Sequence, residues 1–205
     1  MTWTVIYERR SGSAGPSSAP TGNPGDMSLL KNVAGQNFTF ELIAAATDTG
    51  LTGQASNIVA RVSKDGGAQA ATVGTFTELG NGAYNYAPTQ AETNANCISI
   101  LITCPNAIPF NLTFLTGGLH KNLAGQHVGF GMMTVSGLAD ASATVSVFVS
   151  KDGGAQAGGG GTVTNLGSGQ YDYAPTQAET NGTNVSFLFT ATSDVPQNLS
   201  IFTVA

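Results

Sequence analysis

Charge is scarce in this chain. Lys, Arg, Asp and Glu make up 9% of its 205 residues, against about 25% in typical soluble domains. The seven basic residues are spread thinly and the net charge is −5, which excludes the clustered cationic footprint of a nucleic-acid binder. No apolar run approaches the ~20 residues that cross a bilayer as a helix, so no membrane partner is expected. The first ten residues lack a basic start followed by a long apolar stretch, so they do not read as a secretory signal, and synthesis in a cytoplasm is expected. Histidine is nearly missing: His120 and His127 stand without a carboxylate or cysteine at ligand spacing, and read as linker and strand-surface residues. Cys97 and Cys104 lie on one predicted strand, ~23 Å apart when extended, whereas a disulfide needs Cα atoms within ~7 Å. They read as free thiols. No metal, cofactor or catalytic residue is assigned.

Thr, Ser, Asn, Gln and Gly take the place of the missing charge, and they are arranged in a duplication. Ser63–Ala70 (SKDGGAQA) recurs as Ser150–Ala157, and Ala87–Asn94 (APTQAETN) recurs as Ala174–Asn181, both at an offset of 151 − 64 = 87. Lys31–Gln36 matches Lys121–Gln126 at an offset of 90, so the first copy carries three extra residues. Asp48–Gly53 reads as the loop that holds them. The expected organisation is an arm and linker over residues 1–28, one module over 29–118 and a second over 119–205, joined only by Thr116–His120. A tandem repeat presents the same surface twice, whereas an active site needs several unlike groups at one point; the pattern argues against an enzyme.

Within each copy the periodicity is that of strands. Phe38, Phe40 and Leu42 alternate with polar residues, as do Ile58, Ala60 and Val62. Asp65-Gly66 and Asp152-Gly153 are signals for type I′ hairpin turns, and Gly80-Asn81-Gly82 for another turn. Ala83–Tyr86 is a strand. Thr89–Glu92 has the form of a capping box and predicts one or two helical turns. Cys97–Cys104 is a β-branched apolar run and predicts a buried strand; Val185, Phe187 and Phe189 face one way in its counterpart. About six or seven short strands with regular turns predict an antiparallel β-sandwich of immunoglobulin-like (Ig-like) type in each module, without the Cys…Trp…Cys framework of antibody domains. Gly158–Gly161 reads as a mobile loop in the place of Val73-Gly74. The Ser-Lys-Asp-Gly-Gly segments lack the alternating acids of a calcium loop and read as hairpins.

Residues 2–8 place Trp3, Val5 and Tyr7 on one side of a strand, and the Ser-, Gly- and Pro-rich stretch that follows to Asp26 is a tether. Two readings of this arm stand open. It adds to the sheet edge of another chain, or it folds back on the first module.

The pattern Ser-Lys-Asp-Gly-Gly-Ala-x-Ala, then Gly-x-Gly-x-Tyr-x-Tyr, then Pro-Thr-x-Ala-Glu-Thr-Asn resembles Ig-like modules in structural proteins of tailed bacteriophages. Ser63–Ala70, Gly80–Tyr86 and Pro88–Asn94 carry it in copy one, and Ser150–Ala157, Gly167–Tyr173 and Pro175–Asn181 in copy two. The resemblance implies an all-β protein with two tandem Ig-like sandwich domains behind an extended N-terminal arm. It implies a non-enzymatic virion protein: a capsid decoration, cement or head-fibre protein anchored by Trp3, Val5 and Tyr7. The alternatives are a tail-fibre or baseplate component that binds a host-surface glycan, and a bacterial cell-surface adhesin. The implied partners are other virion proteins, namely the major capsid protein or tail components, and further copies of the chain, a trimer being one form. The implied location is the virion.

Overall fold

The computed structural model describes residues 29–204. The arm, with Trp3, Val5 and Tyr7, lies outside the described residues. The first half contains β1 (Phe38–Glu41), β2 (Val59–Lys64), β3 (Ala70–Ala71), β4 (Thr75–Gly80), β5 (Ala83–Ala87), β6 (Cys97–Thr103) and β7 (Phe110–Leu115). The second contains β8 (Leu119–His120), β9 (Val128–Gly131), β10 (Ser146–Lys151), β11 (Ala157–Gly158), β12 (Thr162–Gly167), β13 (Gln170–Ala174), β14 (Asn184–Thr190) and β15 (Gln197–Val204).

The chain is all-β, and the duplication extends to the topology. In the first repeat a sheet ordered β1-β5-β4 lies over one ordered β3-β2-β6-β7; in the second, β12-β13-β9 lies over β11-β10-β14-β15-β8. Alternation puts every second side chain between the layers. Phe38, Phe40, Tyr84 and Tyr86 from one sheet meet Val62, Ile98, Ile100, Ile102, Leu112 and Phe114 from the other. Val128, Phe130, Tyr171 and Tyr173 likewise meet Val149, Val185, Phe187 and Phe189. Aromatic rings bridge the layers, with Phe38 and Phe114 centroids 4.7 Å apart and Phe130 stacked on Phe189 at 3.7 Å.

The turn chemistry is as the residues predict. Asp65 and Gly66 both take positive φ (48° and 70°), and the Gly67 amide closes the turn on the Lys64 carbonyl at 2.9 Å. Asp152 and Gly153 repeat this, with φ of 51° and 74°. Each aspartate side chain also holds a neighbouring strand. Asp65 Oδ1 accepts the amides of Asn96 and Cys97, and Asp152 Oδ1 those of Thr183 and Asn184, so the hairpin is pinned to the start of β6 or β14.

The capping box closes on a single turn: the Glu92 and Thr93 amides bond to the Thr89 carbonyl before the chain enters β6, and no helix longer than that forms among the described residues. Two local expectations are corrected. The glycine run is tied down rather than loose. Gly158 pairs with Phe148, Gly159 N donates to the Val147 carbonyl, and Gly161 N donates to the Tyr173 hydroxyl at 2.9 Å. Glycine is required there because a Cβ on Gly159 would meet Tyr173 Oη at 2.7 Å. Finally, the joining segment is not a bare connector: Leu119 and His120 form β8, parallel to Thr203 and Val204 of β15, and Leu119 is buried in the second core.

Candidate functional site

The polar side chains of this protein converge in two kinds of place. The first is a carboxylate latch, present once per repeat. Glu92 Oε1 accepts the Tyr86 hydroxyl at 2.7 Å and the Val73 amide at 2.8 Å; its Oε2 accepts the Thr89 amide at 2.7 Å and the Thr89 hydroxyl at 2.9 Å. Glu179 has the same four donors in Tyr173, Gly160 and the amide and hydroxyl of Thr176. Burial pushes both carboxyls up, but the donors to the charged form outweigh it, and both are held below the usual range. Burial, and then the neighbouring glutamate, push the Tyr86 and Tyr173 phenols up. A carboxylate saturated by four donors is poorly placed to exchange a proton. These glutamates join one sheet's strand to the loop that crosses to the other.

The second place is the contact between the repeats. β6 and β7 turn their outer face to β9 and β13. Gln170 Nε2 donates to Ser99 Oγ at 2.8 Å and to Asn111 Oδ1 at 3.0 Å, and the Ser99 hydroxyl itself donates to Asn111 Oδ1. Thr113 Oγ1 donates to the Gly129 carbonyl at 2.6 Å, and Gln69 Nε2 to that of Gly167 at 2.8 Å. The approach is close enough to demand glycine. A Cβ on Gly129 would overlap the Ser99 side chain, and one on Gly131 would come within 2.7 Å of Asn111 Cβ. Beside this polar centre, Ile43 and Ile108 of the first repeat pack with Met133 and Val195 of the second.

At the other margin His127 Nδ1 lies 2.7 Å from Asp172 Oδ2. Burial raises the Asp172 carboxyl, with the His127 hydrogen bond and charge opposing. Gly66 of the first repeat packs onto this pair, where a Cβ would reach both at 2.6 Å. Spacing along the chain gives His127 no partner because Asp172 is distant in sequence and adjacent only across the β9–β13 ladder.

The junction explains a difference between equivalent strands. β6 is buried on both faces over Cys97–Ile102, whereas β14 alternates, with Val185, Phe187 and Phe189 inward and Ser186 and Leu188 half-buried. Among the described residues the outer face of the second repeat is open: Phe202, at the place of Leu115, is 75% exposed, and Phe148, at the place of Arg61, is 38% exposed. Thiol chemistry follows the same division. Burial pushes the Cys97 thiol up to about 12, and Cys104 is half-buried with a smaller rise from the same cause. With a colourimetric disulfide reagent at pH 8, Cys104 is expected to react in the native protein and Cys97 only after denaturation; two equally fast thiols would contradict the burial. His120 lies on β8 and is exposed. Among the described residues no cluster of three or more His, Cys, Asp or Glu side chains forms.

No family model matches the chain, and no curated protein matches it. Among solved structures it is similar to an endo-fucoidan hydrolase of glycoside hydrolase family 107 at 12% identity, covering 87% of this chain and 33% of that one, with a TM-score of 0.23. It is also similar to extracellular domains 3–5 of Drosophila OTK at 14% identity, covering 92% of this chain and 68% of that one, with a TM-score of 0.22. The chain thus spans about a third of the length of that hydrolase. Likeness at this level carries no argument about function.

Proposed function

We propose that this is a non-enzymatic virion protein of a tailed bacteriophage, a decoration, cement or head-fibre component built from two tandem Ig-like domains behind an N-terminal arm. The observation that carries the reading is the asymmetric use of one surface. The outer face of β6 and β7 is covered by the next module, while among the described residues nothing packs over the equivalent face of β14 and β15, which is uncharged and carries the exposed Phe202 and the half-buried Leu188. Such a face suits docking in an assembly. The repeated residues quoted for the phage resemblance serve turns, latches and cores, which fits a scaffold module. The arm with Trp3, Val5 and Tyr7 would attach to the shell by adding a strand to a partner's sheet edge.

The test is deletion of residues 1–28. The truncated protein should keep its fold and lose incorporation into heads, as read by the occupancy of its density in reconstructed particles. Normal head occupancy would refute the arm's role, and density confined to the tail would refute the head assignment.

A further inference from the structure

The second repeat departs from the first at one pair of positions where chemistry replaces packing. In the first repeat the Leu51 amide bonds to the Leu42 carbonyl, Ile43 bridges Gly50 and Ala44 bridges Ala107; Leu51 and Ala107 pack against the core. In the second the Asp140 amide bonds to the Met132 carbonyl, Met133 bridges Ala139 and Thr134 bridges Asp194. The backbone frame is the same, and an apolar pair has become two aspartates. Asp140 is bonded at Met132 and Asp194 is bridged to Thr134, two residues along the same segment, so the two aspartates flank one stretch of backbone, and the Tyr171 hydroxyl donates to the Asp140 carbonyl at 3.0 Å. Asp140 Oδ1 already accepts the amide and hydroxyl of Ser142, each at 2.7 Å. Asp194 is 7% exposed and, among the described residues, neither of its carboxylate oxygens receives a donor. Two neighbouring carboxylates, one of them desolvated and unsatisfied, cost stability unless a positive charge lies between them.

We propose that Asp194, with the second oxygen of Asp140, binds a calcium ion. Calcium suits the donors better than magnesium because it takes a carboxylate through both oxygens and tolerates irregular geometry, and water would complete its six to eight ligands. Two carboxylates make a modest site, with a dissociation constant on the order of 10⁻⁴–10⁻³ M. Its place gives it a consequence. Asp194 precedes Val195, and Asp140 ends the loop that follows Met133; Val195 and Met133 are the second repeat's share of the apolar junction patch. The ion would tie these two segments together beside the contact between the repeats.

The test is thermal unfolding of the full chain at pH 7 and constant ionic strength, without and with 10 mM calcium chloride. The expected result is a Tm rise of about 5 °C with calcium, a smaller rise with magnesium, and none in Asp194→Ala. The first repeat has alanine at that position, so the frame accepts the substitution. Asp140→Leu/Asp194→Ala should match or exceed the wild-type Tm without the ion. Calcium titration calorimetry should give one site per chain, lost in Asp194→Asn. An equal Tm rise in Asp194→Ala, or with magnesium, would overturn the assignment. So would a wild-type Tm that ignores calcium and responds only to acidification, since the pair would then share a proton instead.

Discussion

Replacing Glu92 with alanine is expected to cost about 3–5 kcal/mol of stability, read as a shift in the urea midpoint. The size follows from what is left behind. The fully buried Tyr86 hydroxyl would lose its acceptor, as would the Val73 and Thr89 amides, while the cavity adds a packing loss. Glu92→Gln keeps the shape, turns one acceptor into a donor and should cost about 1–2 kcal/mol. Glu179→Ala should behave like Glu92→Ala, because Glu179 has the same donors. A cost below about 1 kcal/mol for both alanine variants would show that the latches do not hold the layers. The latches also set an acid limit. Both glutamates have folded-state values below the ordinary 4.5, so their contribution is fully present above that value and is lost as pH falls through the folded one. Asp172 and Asp194, held above their ordinary value, act in the opposite sense and favour the fold as they protonate. The expected result is that the wild type loses more stability below pH of about 4.5 than Glu92→Gln/Glu179→Gln, which keeps the aspartates' contribution and lacks the glutamates'.

Substituting Gly129 with threonine should open the junction without unfolding either repeat. Thr39 holds the matching place in the first repeat, opposite Asn85 as Gly129 is opposite Asp172, so the strand itself accepts threonine. What cannot accept it is Ser99, which the new Cβ would overlap. Overpacking of this kind costs about 2 kcal/mol, equivalent to about a thirty-fold larger open population. Cys97 reports the opening, since it is buried on the junction face of β6, two residues from Ser99. Its reaction with a thiol reagent should accelerate about thirty-fold in Gly129→Thr, while the circular dichroism spectrum stays unchanged. An unaltered Cys97 rate would mean that the glycine is not what permits the approach.

Much of the fold is legible in local patterns. Alternation places Phe38, Phe40, Val185, Phe187 and Phe189, and Asp-Gly places the hairpins, because both signals act over a few residues. The junction is barely legible in this strand: the outward positions are Ser99 and Ser186, Leu101 and Leu188, Thr103 and Thr190, the same residue types in both copies, and only Cys97 differs, standing where the second copy has Asn184. The strand covered on both faces and the one covered on one face therefore share a pattern, and burial separates them only in the fold. The Thr-x-x-Glu box is legible as a cap, but its other donors, Tyr86 and Val73, come from a strand and a loop that only the fold brings near. Gly129 and Gly131 sit in a strand, away from any turn, so their meaning depends on Ser99 and Asn111 across the contact. The Asp140–Asp194 pair is hidden for a related reason: Ala107 stands against Asp194 at the offset of 87, but the insertion in the first copy shifts the register at Leu51, which is matched to Asp140 only by its backbone bond.

The two repeats form one body, locked by Gln170, Ser99, Asn111 and the close glycine strand. Residual dipolar couplings of backbone amides in β1–β7 and β9–β15, measured in one alignment medium, test this most directly. The expected result is a single alignment tensor that fits both repeats in the wild type. Two unequal tensors in the wild type would contradict it.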